Sequence, residues 1–320
     1  MNYKTNLKYG KIALDHSLFF FALAIISIIT IKFFSILNDF IYLICFFLIS
    51  TIGIAHGALD NLKGKKLLKI YKIKNIIFFY LFYILLALFV ATSWISFPGL
   101  TLFIFLIIAC YHFGKEDTFF FLKDNKFIDQ HTDGGFANFT LFLKGLLIVV
   151  APLKFKSDET RYIFEILAPG ESGVFLFYII EILFFLSCIT YLWFLFAIET
   201  PNTDASISIV VDFLSIILLN YFLSPLIAFT LYFCFLHSIR HSISLILIID
   251  KRNLRKGAFK FIKKALPLTL VTAIVFVVSV LYLKNHYAID VAILKVIFIG
   301  LASLTFPHIL LEYLVEKNEK

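Results

Sequence analysis

Ten apolar runs, each able to cross a lipid bilayer as a helix, limit the fold of this chain more than any other feature. A transmembrane helix needs about 20 mostly apolar residues. Because 61% of the 320 residues are hydrophobic and only 16% are charged, a water-soluble globule is excluded. The sequence predicts an all-α, polytopic integral membrane bundle that forms one domain over residues 1–320. The runs lie at 17–37, 39–59, 76–97, 98–114, 136–153, 172–197, 206–223, 225–250, 265–283 and 289–315.

The amino terminus and the cysteines do not change this class. The first run is too long for a signal peptide and no small-residue cleavage site follows it, so we expect a retained first span. All four cysteines lie in apolar runs without a CxxC pair. This placement favours small packing residues over disulfides or metal ligands.

The basic residues predict the topology. With ten spans, 21 Lys and Arg residues fall on the side that holds both termini, and four fall on the other side. By the positive-inside rule both termini are therefore predicted to be cytoplasmic. The net charge of +8 is explained by topology and contact with a membrane surface, and no basic soluble domain points to nucleic acid.

Two histidines interrupt the eighth run, in the stretch "LHSIRH". His237 and His241 are four residues apart, which is about 6 Å of helix rise and about 40° of rotation. Their side chains therefore share one helix face and can bind one metal ion. Ionisable groups inside a membrane are costly and usually functional.

Three further histidines fall in even-numbered spans: His56 in "GIAHGALDN", His112 in "YHFGKED" and His308 in "FPHILLEY". Even-numbered spans run in one direction, so these side chains can meet the eighth-span pair at a similar depth. Taken singly, a histidine near a helix end is more often solvated or simply hydrogen-bonded. The remaining three histidines are expected at interfaces or in loops: His16, His131 and His286.

Carboxylates follow three of these histidines at a spacing of four: Asp60, Glu116 and Glu312. On a helix this spacing places the acid beside the imidazole, as in sites where a carboxylate orients a metal ligand. Acids just past a span end are also commonly solvated, and Gly114 is expected to break the helix between His112 and Glu116.

The chemistry of the metal is limited by the ligand types. Imidazole suits iron, copper, zinc and nickel. The HExxH pattern of zinc proteases is absent because Ser238, Ile239 and Arg240 separate the two histidines. Arg240 is expected to pair with Asp60, Glu116, Asp117 or Glu312. Aromatic neighbours of the histidines are candidates for the walls of a substrate pocket: Tyr111, Phe113, Phe235 and Phe306.

These four motifs, "GIAHGALDN", "YHFGKED", "HSIRH" and "FPHILLEY", resemble in this order the Brp/Blh family of bacterial and archaeal membrane β-carotene dioxygenases. The resemblance implies cleavage of the central double bond of β-carotene by O2 at a non-haem Fe2+ ion, which gives two molecules of retinal, the chromophore of microbial rhodopsins. It also implies a place in the cytoplasmic (inner) membrane.

The resemblance implies a ligand set as well. The family's iron ligands correspond to His56, His112, His237 and His241, and the role of His308 stays open. The first motif departs from the family pattern at Ala55 and Asn61, where proline and histidine are common.

Two other functions remain open at this point. The intramembrane histidines and acids could form a relay in a transporter of divalent metal ions or protons, although no inverted repeat is visible. A non-catalytic subunit that delivers retinal would not depend on the histidines.

Overall fold

The structure, a computed structural model, describes residues 3–33, 40–122, 135–170, 174–197, 203–250 and 253–319. Every regular element in these ranges is a helix, which agrees with the all-α prediction. Thirteen α-helices are described: α1 Tyr3–Phe33, α2 Ile41–Leu48, α3 Asp60–Ile70, α4 Ile77–Ser96, α5 Pro98–Leu122, α6 Gly135–Phe155, α7 Ser157–Leu167, α8 Val174–Ala197, α9 Thr203–Phe222, α10 Pro225–Leu231, α11 Ile239–Ile249, α12 Leu254–Leu283 and α13 Ile289–Glu319.

Ten helical stretches in the described ranges are long and apolar enough to span a membrane, which confirms the predicted number of spans. Their boundaries shift by a few residues in most cases. The ninth stretch begins at Leu254, earlier than predicted, because the helix continues through the basic segment before the apolar run. Residues 34–37 of the first predicted run lie outside the described ranges.

Two of the ten stretches change their helical type. In the second, α2 continues through a π-helix at Ile49–Gly53 and a 3-10 helix at Ala55–Leu59 before α3 begins. In the eighth, the π-helix Tyr232–Ser238 joins α10 to α11. Such π segments are rare and often occur at functional sites.

The outer surfaces of these helices are apolar. Ile95 is 84% exposed and Phe196 is 86% exposed. An exposed isoleucine or phenylalanine is unfavourable in water but suits contact with lipid. This surface fits the membrane class that the composition predicts.

The chain forms two compact units, each built from segments that are distant in sequence. Unit 1 contains residues 1–41, 109–162 and 173–244, and unit 2 contains residues 42–108, 163–172 and 245–320. The single-domain description and the orientation of the termini stay predictions.

In unit 1, α1 packs along α9, and α6 packs on α8. Helices α5 and α6 cross at two glycines: a Cβ on Gly114 would lie 1.8 Å from the Leu141 carbonyl oxygen, and one on Gly145 would lie 1.8 Å from that of Cys110. Only glycine permits so close an approach. The expectation that Gly114 breaks α5 was therefore wrong, because this residue serves helix packing inside a continuous helix.

Lys144 lies inside the fifth span and is nevertheless compatible with it. Its ammonium group donates to the Thr118 hydroxyl at 2.8 Å and lies 5.5 Å from the ring centroid of Tyr191. A hydrogen bond and an aromatic face offset part of the cost of removing the charge from water.

In unit 2, α13 packs against α3, α4 and α12, and α12 also packs on the 3-10 helix Ala55–Leu59. The C-terminus of α7 is held by two side chains: Lys295 donates to the Ile166 carbonyl at 2.7 Å, and Trp94 donates to the Leu167 carbonyl at 2.8 Å. The last carbonyls of a helix need such donors. Lys295 therefore caps a helix from inside the tenth span.

Candidate metal centre

The HxxxH pair of unit 1 lies where the π-helix Tyr232–Ser238 changes into α11. His237 is the penultimate residue of the π segment, and His241 belongs to the first turn of α11. Both imidazoles are buried. The sequence analysis assumed a regular α-helix from His237 to His241. The α-helix begins only at Ile239, so the assumed spacing holds for part of this stretch.

A carboxylate of α5 orients His237. Nδ1 of His237 lies 3.1 Å from Oδ1 of Asp117, and the hydroxyl of Tyr232 donates to Oδ2 of Asp117 at 2.6 Å. Since a carboxylate only accepts hydrogen bonds, the Nδ1–H of His237 donates to it. Nε2 is then the nitrogen that carries the lone pair.

His241 is held in the same way by the preceding residue of α5. Its Nδ1 lies 3.0 Å from Oε2 of Glu116. Glu116 was expected to serve His112, four residues before it. The two adjacent acids, Glu116 and Asp117, contact the two histidines of the eighth span, and the role of Glu116 beside His112 stays a prediction.

His112 is buried and lies beside His237, with 5.2 Å between the ring centroids. Its neighbour Phe113 lies edge-on to His237 at 4.8 Å. Phe233 stacks on His237 at 5.8 Å with an interplanar angle of 17°. Aromatic rings therefore cover the imidazole, and two of these neighbours, Tyr232 and Phe233, were not singled out by sequence analysis.

The pocket role of the other three expected residues stays a prediction. Tyr111 donates a hydrogen bond to Asn138 at 3.1 Å. Phe235 is half-buried, and its carbonyl accepts a hydrogen bond from His16. Phe306 is half-buried on α13 in unit 2.

Arg240 pairs with Asp212 of α9, which sequence analysis did not single out. The guanidinium makes two hydrogen bonds to this carboxylate, at 2.7 Å and 3.1 Å. The acid that makes these two hydrogen bonds was therefore not among the four expected, of which Glu116 and Asp117 bond imidazoles of unit 1. A planar guanidinium and a carboxylate have matching geometry for such a bidentate contact.

His16 was expected at an interface, and this was wrong. It is only 7% exposed, and its Nε2 lies 2.9 Å from the Phe235 carbonyl oxygen. The first span begins before the apolar run detected in the sequence, so His16 falls inside helix α1.

Unit 2 contains a second pair of imidazole and carboxylate. Nδ1 of His308 lies 2.8 Å and 2.9 Å from the two oxygens of Asp60, and the Tyr83 hydroxyl lies 3.0 Å from Oδ2 of Asp60. Asp60 was expected beside His56. Residues 55–59 form a 3-10 helix, so that expectation cannot rest on α-helical spacing, and it stays a prediction because the side chain of His56 is not described.

Glu312 lies one turn after His308 on α13, as its spacing predicted. Its Oε1 is 3.6 Å from Nε2 of His308, and it also forms an ion pair with Lys63. The side chain of His56 lies outside the described part of the structure. Its 3-10 helix passes beside His308, since a Cβ on Gly57 would lie 3.9 Å from Nδ1 of that residue.

The donor chemistry of unit 1 fits a transition-metal ion. His237 and His241 each direct Nδ1 to a carboxylate, the arrangement that fixes the tautomer of a metal-binding imidazole and raises its basicity. His112 adds a third buried imidazole. A set of neutral nitrogens suits iron, copper, zinc or nickel better than calcium or magnesium.

Comparison with known proteins gives a family. The family model described as "Beta-carotene 15,15'-dioxygenase" matches residues 47–316, which include all four histidine motifs. A curated relative from Uncultured marine bacterium 66A03, named "Beta-carotene 15,15'-dioxygenase", is 29% identical over 265 residues, 82% of this chain and 90% of the relative. No solved structure matches the chain. The resemblance seen in the motifs is therefore confirmed, and the chain belongs to the β-carotene 15,15'-dioxygenase family.

Proposed function

We propose that this chain is a membrane non-haem iron dioxygenase that cleaves the central double bond of β-carotene with O2 and releases two molecules of all-trans-retinal. Its place is the cytoplasmic membrane of a bacterium or archaeon, where the product supplies a microbial rhodopsin. The observation that carries the proposal is the pair of contacts by which Asp117 and Glu116 orient His237 and His241.

The proposed ligands are His56, His112, His237 and His241, and Fe2+ bound there supplies the activation of O2. Asp117 and Glu116 hold the imidazoles with Nε2 as the binding nitrogen. Asp60 holds His308 in the same way in unit 2, so His308 is either a further ligand or a residue that positions the site.

The surroundings suit an apolar substrate. β-Carotene has no polar handle and dissolves in the bilayer core, so the chain needs apolar walls to orient it and no acid or base to act on it. Phe113 and Phe233, which lie against His237, are candidates for these walls. Apolar contacts that fix the position of the polyene would determine which double bond is cut.

The test is retinal formation by the full chain in bacterial cells that accumulate β-carotene, together with iron per purified chain. His56→Ala, His112→Ala, His237→Ala and His241→Ala should each remove most of the retinal and lower the iron content. His286→Ala is the matched control, because His286 is exposed in the turn after α12 and should be silent. Full retinal yield in His237→Ala or His241→Ala would refute the proposed centre.

His308→Ala tests the number of ligands. Iron loss as severe as in the other four variants would make His308 a fifth ligand, and an intermediate loss would make it a positioning residue. The comparisons do not favour the transporter of metal ions or protons. That alternative predicts ion flux in vesicles and no retinal, so the same membranes distinguish the two functions.

A further inference from the structure

His16 is a buried polar residue of helix α1 that the proposed reaction does not use. It precedes the residues that the family model matches, which begin at 47. Its imidazole is buried in unit 1, where a polar side chain is costly unless it is hydrogen-bonded. Its two ring nitrogens lie close to Phe235 and Arg240, which both belong to the segment that carries the HxxxH pair.

One ring nitrogen binds the backbone of the π-helix. The backbone N–H of Ile239 donates to the carbonyls of Cys234 and Leu236. In an α-helix it would donate to the Phe235 carbonyl. Nε2 of His16 lies 2.9 Å from this Phe235 carbonyl oxygen. The imidazole thus bonds to a carbonyl that the change of helical register has released from its usual partner.

The other ring nitrogen faces a cation. Nδ1 of His16 lies 3.5 Å from an NH2 nitrogen of Arg240, which also donates to the Ser17 hydroxyl at 3.0 Å. A guanidinium has only donors, so Nδ1 presents its lone pair and Nε2 carries the hydrogen. This tautomer is the one that can donate to Phe235, and the two contacts therefore support each other.

Arg240 is in turn fixed by Asp212 of α9 through two hydrogen bonds. Helix α1 packs along α9, so His16, Ser17 and Asp212 approach the HxxxH segment from two adjacent helices. Arg240 lies between the two histidines in the chain. His16 contacts both Arg240 and the Phe235 carbonyl. These contacts therefore fix the rotation of the helical segment that carries His237 and His241.

We propose that His16 is a positioning residue of the metal centre, which stabilises the π-helical register of Tyr232–Ser238 and so directs His237 and His241 toward their carboxylates on α5. One residue of register is about 100° of rotation around a helix. A return to α-helical register would therefore turn His237 relative to α10 and remove it from Asp117. This inference rests on the proposed metal centre at His237 and His241.

The experiment compares three substitutions in the full chain, purified in detergent. In His16→Gln the amide nitrogen can take the place of Nε2 and still donate to the Phe235 carbonyl. In His16→Asn the amide lies where Nδ1 lies and is too short to reach it, and His16→Phe keeps a ring without any donor. His286→Phe, at an exposed histidine, is the matched control.

The readouts are the rate at which a chelator removes iron, the visible absorption of the Co2+-substituted protein, which reports ligand geometry, and the melting temperature. We expect His16→Phe and His16→Asn to lose iron about tenfold faster than the wild type, the lower limit for residues that support a metal ligand. Their Co2+ spectra should change, whereas His16→Gln and His286→Phe should resemble the wild type. Because His16→Asn is small and polar, it tests the inference even if His16→Phe fails to fold.

Unchanged iron loss and Co2+ spectra in both His16→Asn and His16→Phe would overturn the inference, even with a lower melting temperature, because His16 would then serve stability alone. Failure of His16→Gln to restore the wild-type spectrum would also overturn it. His237→Ala separates this failure from that of the proposed function. If that variant keeps its iron and its retinal yield, the metal centre itself is refuted.

Discussion

Removal of the Asp117 carboxylate is the most direct perturbation of the metal centre that leaves every proposed ligand in place. Asp117 accepts hydrogen bonds from Nδ1 of His237 at 3.1 Å and from the Tyr232 hydroxyl at 2.6 Å. In Asp117→Ala the imidazole loses the acceptor that fixes its tautomer, and the hydroxyl loses its partner. The fraction of His237 with Nε2 ready to bind a metal should fall.

The expected magnitude follows from these two contacts. A hydrogen bond to a charged group contributes about 1.5–3 kcal/mol, and loss of a carboxylate behind a metal-binding histidine costs about 10- to 100-fold in metal affinity. A factor of ten corresponds to about 1.4 kcal/mol, so the two ranges agree. Competition with a chelator of known iron affinity measures the change on purified protein, and retinal yield follows it at limiting iron.

Two controls isolate the role of the carboxylate. Asp117→Asn keeps one oxygen that can accept from His237, so its effect should be smaller than that of Asp117→Ala. Asp158→Ala removes an exposed acid from the first turn of α7 and should leave iron affinity unchanged. Wild-type iron affinity in Asp117→Ala would refute the argument that this carboxylate orients a ligand.

Three further outcomes are expected. Arg240→Ala should lower the yield of folded protein more than Lys295→Ala, since it leaves a buried carboxylate without its partner, a loss of about 3–5 kcal/mol. Lys295 caps a helix and faces the Tyr287 ring, and no buried acid depends on these contacts. Equal melting temperatures would contradict this prediction. Gly145→Leu should abolish folding because its Cβ would lie 1.8 Å from the Cys110 carbonyl oxygen. Gly135→Leu should be tolerated because no atom lies within 4 Å of a Cβ there. The yield of folded protein and its melting temperature measure both effects. A reporter fused after residue 285 should be periplasmic, and a cytoplasmic signal there would contradict the predicted topology.

The spans were predictable because the bilayer imposes a length and a composition on every helix that crosses it. Lys144 is a charged residue inside the fifth span, and its partners Thr118 and Tyr191 come from other helices. Which partner satisfies such a group depends on helix packing, which a single sequence does not contain. The positions of the histidines, in contrast, were visible because polar residues are rare in these runs.

The pairing of acids with histidines was not predictable from spacing alone. Spacing of four indicates contact within one regular α-helix, but Asp60 follows a 3-10 helix and pairs with His308 on α13. Glu116 lies on a regular helix and still contacts another one. For His308 and Glu312 the spacing agrees with a close contact.

His16 and Asp212 escaped detection for a different reason. Each is a lone polar residue at the edge or in the interior of an apolar run, where isolated polar groups usually have a local explanation. Both contact the guanidinium of Arg240, and this shared contact becomes visible only in the structure. A signal existed nonetheless: a buried arginine requires a buried acid, and Asp212 is one of the few acids inside a predicted span.

The register of two helices, rather than the presence of histidines, gives unit 1 its specificity. Glu116 and Asp117 are adjacent on α5, so their side chains diverge by about 100° around the helix, while His237 and His241 lie on either side of the change from π-helix to α-helix. A slip of one residue in either helix would separate both carboxylates from both imidazoles. In lipid these groups could not turn to water instead, and each unsatisfied group costs several kcal/mol. The apolar environment that makes buried acids rare therefore also holds this arrangement in a single register, which is the condition for a metal site of defined geometry.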